Sequence, residues 1–178
     1  MKNLLPFPVF LFLFFLSISV FAQAPDWKWQ NPQPTGNQLN DIHLVDNQIG
    51  WAVGNAGSIL HTSNGGQTWR AQISGTTKNL QSVFFSNSQT GWAVGASGTI
   101  LKTSDGGQTW QAQSSGTPNL VRSVHFRDTQ TGWAVGSTGT ILKTSNGGQS
   151  WQAQSSGNTR NLFSVHFTDA QTGWAVGE

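Results

Sequence analysis

Most of the chain is built from short apolar runs separated by Gly, Asn, Asp and Ser. One set reads Leu80-Gln81-Ser82-Val83-Phe84-Phe85, then Gly91-Trp92-Ala93-Val94-Gly95, then Thr99-Ile100-Leu101-Lys102-Thr103, then Trp110-Gln111-Ala112-Gln113-Ser114. β-Branched and aromatic residues fill these runs, and turn formers fill the gaps, which predicts four short strands. The first run returns at residues 39–44, 121–126 and 162–167. After the N-terminal segment, no stretch of ten or more residues carries a 3.6-residue apolar period, so no helix is expected there.

The same pattern recurs with a fixed spacing. Trp51, Trp92, Trp133 and Trp174 are each 41 residues apart, and so are Trp69, Trp110 and Trp151. Seven of the nine Trp therefore sit on one lattice. Four strands in about 40 residues, repeated in tandem, is the blade unit of a β-propeller. A β-solenoid is the rival, but its coils are usually shorter than this period. The expected fold is all-β, with repeats at 39–79, 80–120 and 121–161 and a partial fourth at 162–178. Residues 23–38 form a leading strand and linker, in which Trp27-Lys28-Trp29-Gln30 resembles an isolated fourth strand. Glu178 follows directly on a Gly-Trp-Ala-Val-Gly run, so the ring is expected to be incomplete, with further repeats beyond it.

The first 22 residues follow another logic. Met1-Lys2-Asn3 is short and basic, Leu4 to Phe21 is apolar, and Val20-Phe21-Ala22 suits a cleavage site. This predicts a secretory signal peptide at 1–22 rather than a retained anchor, with no transmembrane segment after cleavage. Export to the periplasm, cell surface or medium follows as an expectation. Removing the segment takes only Lys2 from the charged residues and leaves a net charge of +1. Without a cluster of Lys or Arg, a nucleic-acid partner is not expected. With no Cys in the chain, an exported domain of this size must rest on core packing and sheet hydrogen bonds.

Three copies of a Gly-Gly turn precede the second Trp series. They read Thr62-Ser63-Asn64-Gly65-Gly66-Gln67-Thr68-Trp69, Thr103-Ser104-Asp105-Gly106-Gly107-Gln108-Thr109-Trp110 and Thr144-Ser145-Asn146-Gly147-Gly148-Gln149-Ser150-Trp151. Asp or Asn can bond its own turn backbone, Gly accepts positive φ, and Trp buries a large ring at the start of the fourth strand. The stretch resembles the Asp box, or bacterial neuraminidase repeat, which implies a hairpin between the third and fourth strands of a blade. Asn64 and Asn146 replace the acid in two copies, which favours a structural box over a catalytic carboxylate. Its structural residues are Thr62, Asn64, Gly66, Trp69, Thr103, Asp105, Gly107, Trp110, Thr144, Asn146, Gly148 and Trp151.

Thr90-Gly91-Trp92-Ala93-Val94-Gly95, Gly98-Thr99-Ile100-Leu101-Lys102-Thr103 and the box at 103–110 follow one another in this order. The combination resembles the repeat of the photosystem II assembly-factor family of propellers over about residues 39–177. In its photosynthetic members the resemblance implies a chaperone-like scaffold that binds a reaction-centre subunit, with an Arg-rich patch associated with binding. Here Arg70, Arg122, Arg127 and Arg160 fall at different repeat offsets and make no repeated Arg motif. The resemblance thus implies an exported propeller that binds a protein or cell-surface partner.

Enzymatic readings find less support. Sialidases resemble this chain in their Asp boxes, and that resemblance implies a Tyr nucleophile and an Arg cluster, yet the chain has no Tyr. Paired carboxylates could serve a glycosidase, but Asp46, Asp128 and Asp169 fall in turns, where Asp is common. His43, His125 and His166 share one repeat offset, with Phe84 at the same place in the second repeat. They are weak candidates for lining the central channel. A metal needs three or four converging ligands, and splayed blades do not favour that, so neither a metal nor a cofactor is expected. His61 aligns with Lys102 and Lys143 as an exposed strand position. Gly95-Ala96-Ser97-Gly98 opens no helix and makes no phosphate loop. The expected function is a non-enzymatic protein-binding or assembly scaffold. The alternative is a fragment of an exported glycan-active Asp-box hydrolase with its catalytic residues beyond Glu178.

Overall fold

In the computed structural model, residues 35–169 and 171–178 are described. The signal segment, Trp27-Lys28-Trp29-Gln30 and most of the linker lie outside them. Three antiparallel meanders of four strands follow one another. The first holds β1 (Leu39–Leu44), β2 (Gly50–Gly54), β3 (Ile59–Thr62) and β4 (Arg70–Gln72). The second holds β5 (Leu80–Phe85), β6 (Gly91–Gly95), β7 (Ile100–Thr103) and β8 (Gln111–Gln113). The third holds β9 (Val121–Phe126), β10 (Gly132–Gly136), β11 (Ile141–Thr144) and β12 (Gln152–Gln154). A two-stranded sheet of β13 (Leu162–Phe167) and β14 (Gly173–Gly177) comes last. Each meander is a propeller blade. The first strands β1, β5, β9 and β13 lie side by side at the inner edge.

The third and fourth strands are shorter than their apolar runs. Thr99 is spent closing a turn, since its N–H and Oγ1 both donate to the Ala96 carbonyl. The expectation of no helix is corrected by three single 3-10 turns, Asn55–Gly57, Ala96–Gly98 and Ser137–Gly139. Each is one turn long, too short for periodicity to reveal. Each places a non-glycine residue in the left-handed region, at φ 53° for Ala56 and 54° for both Ser97 and Thr138.

The core lies between blades. Every residue of β2, β6 and β10 is buried, and in β6 and β10 both faces meet a neighbouring sheet. The junction is aromatic. Trp51 stacks on Phe85 with ring centroids 3.5 Å apart and planes 7° apart. Trp92 stacks on Phe126 at 3.5 Å, and Trp133 on Phe167 at 3.6 Å. Gly91 faces Phe85 across the ladder. A Cβ there would lie 2.6 Å from the Phe85 ring, so only glycine lets the ring lie flat between the strand and Trp51. Trp51, Trp92 and Trp133 of the Gly-Trp-Ala-Val-Gly runs are thus buried, whereas Trp174 is exposed. The box Trp110 is half-buried and meets Phe85 edge-on at 5.9 Å, and the box Trp151 is buried and meets Phe126 edge-on at 5.7 Å. Among the described residues, no helix is long and apolar enough to cross a membrane.

Candidate functional site

The box hairpins join the third and fourth strands. Thr103 Oγ1 donates to Asp105 Oδ1 at 2.8 Å and accepts from the Gly107 N–H at 2.8 Å. Asp105 Oδ1 accepts from the Thr109 N–H at 2.9 Å, and Oδ2 accepts from the Thr109 hydroxyl at 2.6 Å. With these donors around it, Thr109 foremost, the Asp105 carboxyl is held down to about 2. The first and third boxes reverse one bond. Asn64 Nδ2 donates to Thr68 Oγ1, and Asn146 Nδ2 donates to Ser150 Oγ, each at 2.9 Å. Thr62 and Thr144 hold the Gly66 and Gly148 N–H groups as Thr103 holds Gly107. The ring of Trp151 is buried and that of Trp69 half-buried.

Other acids also close turns. Asp46 Oδ1 accepts from the Gln48 and Ile49 N–H groups, Asp128 Oδ1 from Gln130 and Thr131, and Asp169 Oδ1 from Gln171 and Thr172. Asn87 does the same work in the second blade. Arg127 bonds Asp128 and, with the turn N–H groups, holds its carboxyl down to about 2. Backbone donors also lower Asp169. Asp41 ties two blades, because its Oδ2 accepts from the Val83 N–H at 2.9 Å. Glu178 accepts from Asn161.

The inner strands bring one row of rings together. His43 and Phe84 centroids are 4.8 Å apart, Phe84 and His125 5.0 Å, and His125 and His166 4.5 Å. The blades therefore do not splay at this edge, contrary to the sequence argument. Burial lowers His43 and His125, and the neighbouring imidazoles lower His125 further. His125 Nδ1 accepts from the Phe167 N–H at 3.3 Å, which leaves the ring proton on Nε2. A cation at Nε2 would displace that proton and cost the bond to Phe167. Among the described residues, no group of three or more His, Asp or Glu is assembled that could hold a metal ion. His61 is half-buried against Trp51, with centroids 4.9 Å apart. This corrects its reading as an exposed position. Lys102 and Lys143 lie over Trp92 and Trp133 at 5.6 and 5.4 Å.

A second inner row was not visible in the motifs. The ladder skips one residue in each first strand: Asn40 between Leu39 and Asp41, Gln81 between Leu80 and Ser82, Arg122 between Val121 and Ser123, and Phe163 between Leu162 and Ser164. A bulge releases its residue from pairing and re-aims the side chain. Asn40 Nδ2 reaches across to the Leu80 carbonyl at 2.7 Å. The Arg122 guanidinium lies 5.2 Å from the Phe163 ring centroid, and its Nε is buried without a partner. Asn, Gln, Arg and Phe differ in chemistry at one offset of a strict repeat, and that variation is the sequence signal that could have found the row. Between the first two blades, an open groove of about 540 Å³ is lined mainly by loop residues such as Ser74, Gly75, Thr76 and Lys78.

Comparison with known proteins places this architecture. Among solved structures, one described as YCF48 bound to D1 peptide is 28% identical, with a TM-score of 0.62 over 73% of this chain and 44% of the other. YCF48 from Cyanidioschyzon merolae is 30% identical, with a TM-score of 0.61 over 68% of this chain and 41% of the other. An ancestral GH74 enzyme is 21% identical, with a TM-score of 0.64 over 85% of this chain and 23% of its own, and so shares the fold. The chain spans less than half the length of each of these structures. No curated protein matches significantly. The sequence model described as Photosynthesis system II assembly factor YCF48 matches residues 21–111, 72–123 and 118–178. With the repeat, the blades and this match in agreement, the chain belongs to the Photosynthesis system II assembly factor YCF48 family.

Proposed function

We propose that this protein is a non-enzymatic binding propeller that holds a polypeptide segment of a partner at its inner rim, and that it works after export. The observation that carries the reading is the bulge row of Asn40, Gln81, Arg122 and Phe163. It is a line of half-buried and exposed side chains, aligned across four sheets, at a place where the repeat stops repeating. An amide, a guanidinium and an aromatic ring suit backbone carbonyls, carboxylates and apolar side chains of an extended peptide. A family member bound to a D1 peptide supports a polypeptide ligand. The acids favour binding over hydrolysis. A glycosidase needs a carboxyl of raised pKa, whereas Asp105, Asp128 and Asp169 are all lowered and occupied in turns.

The test is site-specific photocrosslinking in cells that make the full chain. A crosslinker at Gln81 or Arg122 should capture a discrete protein adduct, and one at the outer-strand residue Gln152 should not. Equal capture from all three, or none from the inner pair, would reject the reading. Export is read separately, since secreted or envelope-bound protein should begin at Gln23. Recovery of the intact Met1 terminus would reject export and leave the binding claim standing.

A further inference from the structure

We infer that the outer edge of the first blade, around His61, Arg70 and Ile73, is a second docking surface, and that it takes an extended segment of a partner polypeptide carrying an acidic and an aliphatic side chain. The repeat itself marks the place. Between Ile59 and Ile73 the first blade departs at three positions from a residue that the second and third blades share. His61 stands where they have Lys102 and Lys143, Arg70 where they have Gln111 and Gln152, and Ile73 where they have Ser114 and Ser155.

The fold brings all three departures to one place. His61 and Arg70 are direct partners across the β3–β4 ladder, which sets their Cβ atoms about 5 Å apart on one face. Ile73 follows β4 directly and is 86% exposed. With Gln72 they line an open pocket of about 400 Å³, to which Gly107 and Gln108 of the next blade's box also contribute. The exposure belongs to the offset, since Ser114 is also exposed although its blade is packed between two others.

The chemistry of the three names the occupant. Arg70 and His61 both donate hydrogen bonds, the imidazole even when neutral. Among the described residues Arg127 and Asp128 form the ion pair, and no carboxylate neutralises Arg70. A carboxylate is the complement of the Arg70–His61 pair, and an aliphatic group that of Ile73. β4 is the last strand of its sheet, so one edge of its backbone is unpaired and can hydrogen-bond an extended chain. Arg70 and Ile73 are about 10 Å apart along an extended backbone, the span of a few residues of a bound peptide. A small carboxylate would reach only one end of it. This surface lies on the outermost strand and the bulge row on the innermost, so its occupancy does not depend on that row.

The test is a selection of random displayed peptides on the purified protein, with binders to a variant carrying His61→Lys, Arg70→Gln and Ile73→Ser removed first. The three substitutions copy the second and third blades, so the variant's thermal melt should match that of wild type. Binders at the inner row are removed with the rest. The peptides that remain should carry Asp or Glu within about three residues of Val, Ile or Leu. A synthetic copy of the most enriched one should lose about tenfold or more in affinity to Arg70→Gln alone and to Ile73→Ser alone, by fluorescence anisotropy, the scale of one lost charge-assisted or apolar contact. No peptide enriched over the variant, enrichment without an acid, or unchanged affinity for either single variant would overturn the inference. So would displacement of the peptide by N-acetylglutamate at the peptide's own concentration, which would make this a site for a small carboxylate.

Discussion

Trp92 Nε1 donates to the carbonyl oxygen of Gly147 at 3.1 Å, in a buried bond that crosses from the second blade to the box hairpin of the third. Trp51 does the same to Gly106 at 3.2 Å. The two repeated Trp series and the Gly-Gly turn are thereby parts of one device. The Gly-Trp-Ala-Val-Gly ring fills the junction, and the next blade's hairpin receives its polar end. A buried indole N–H needs such an acceptor.

Trp92→Ala should therefore destabilise the protein by about 3–5 kcal/mol, as deletion of a fully buried aromatic does. Trp110→Ala should cost clearly less, because that ring is half-exposed. Trp92→Phe should keep the stack on Phe126 but leave the Gly147 carbonyl unpaired, at about 1–3 kcal/mol. Urea unfolding of the three variants checks the order.

Gly132→Ala should destabilise by about 1–3 kcal/mol through overpacking, since its Cβ would sit 2.5 Å from the Phe126 ring. Gly50→Ala should be milder. Its Cβ would approach Leu44 Cγ at 3.0 Å and the His43 carbonyl oxygen at 3.1 Å, contacts that a shift of a few tenths of an ångström relieves. Thermal melts of the pair test the difference.

Asp105→Asn should leave the melting temperature nearly unchanged at pH 7, because Asn64 and Asn146 already close the same hairpin with the bond to the hydroxyl reversed. Its effect should appear in acid. The Asp105 carboxyl falls from 3.8 to about 2 in the fold, so its stabilisation is present above 3.8 and is lost as pH falls through about 2. The variant should lose less stability than wild type between these values, as followed by melts across that range.

His43 and His125 both lie below their ordinary value of 6.5 in the fold. The unfolded chain then binds more protons as pH drops beneath 6.5, so stability falls from there toward the folded values and levels off below them. His125→Phe, which copies the Phe84 position, should flatten this slope. Melting temperatures from pH 7.5 down to pH 5 read it, and an unchanged slope would contradict the seam contact.

The repeat, the strand order and the box were legible because each is written locally. A 41-residue spacing of Trp needs no partner to be seen, and Asp46, Asp128 and Asp169 announce turns through chemistry confined to four residues. The weight of the two Trp series was less legible. Both are aromatic and periodic, and only the packing of one blade on the next buries Trp92 while leaving Trp110 half-open.

By itself the sequence determined an all-β blade and the order of its four strands, because turn formers, alternation and β-branched runs act over a few residues. Tertiary structure alone decided what each blade presents. Pairing geometry makes Asn40, Gln81, Arg122 and Phe163 bulges. Contact between neighbouring first strands sets His125 beside His166 and under the Phe167 N–H. Stacking of sheets gives Trp92 its acceptor 55 residues away. These features depend on the distance between sheets, which no local pattern encodes.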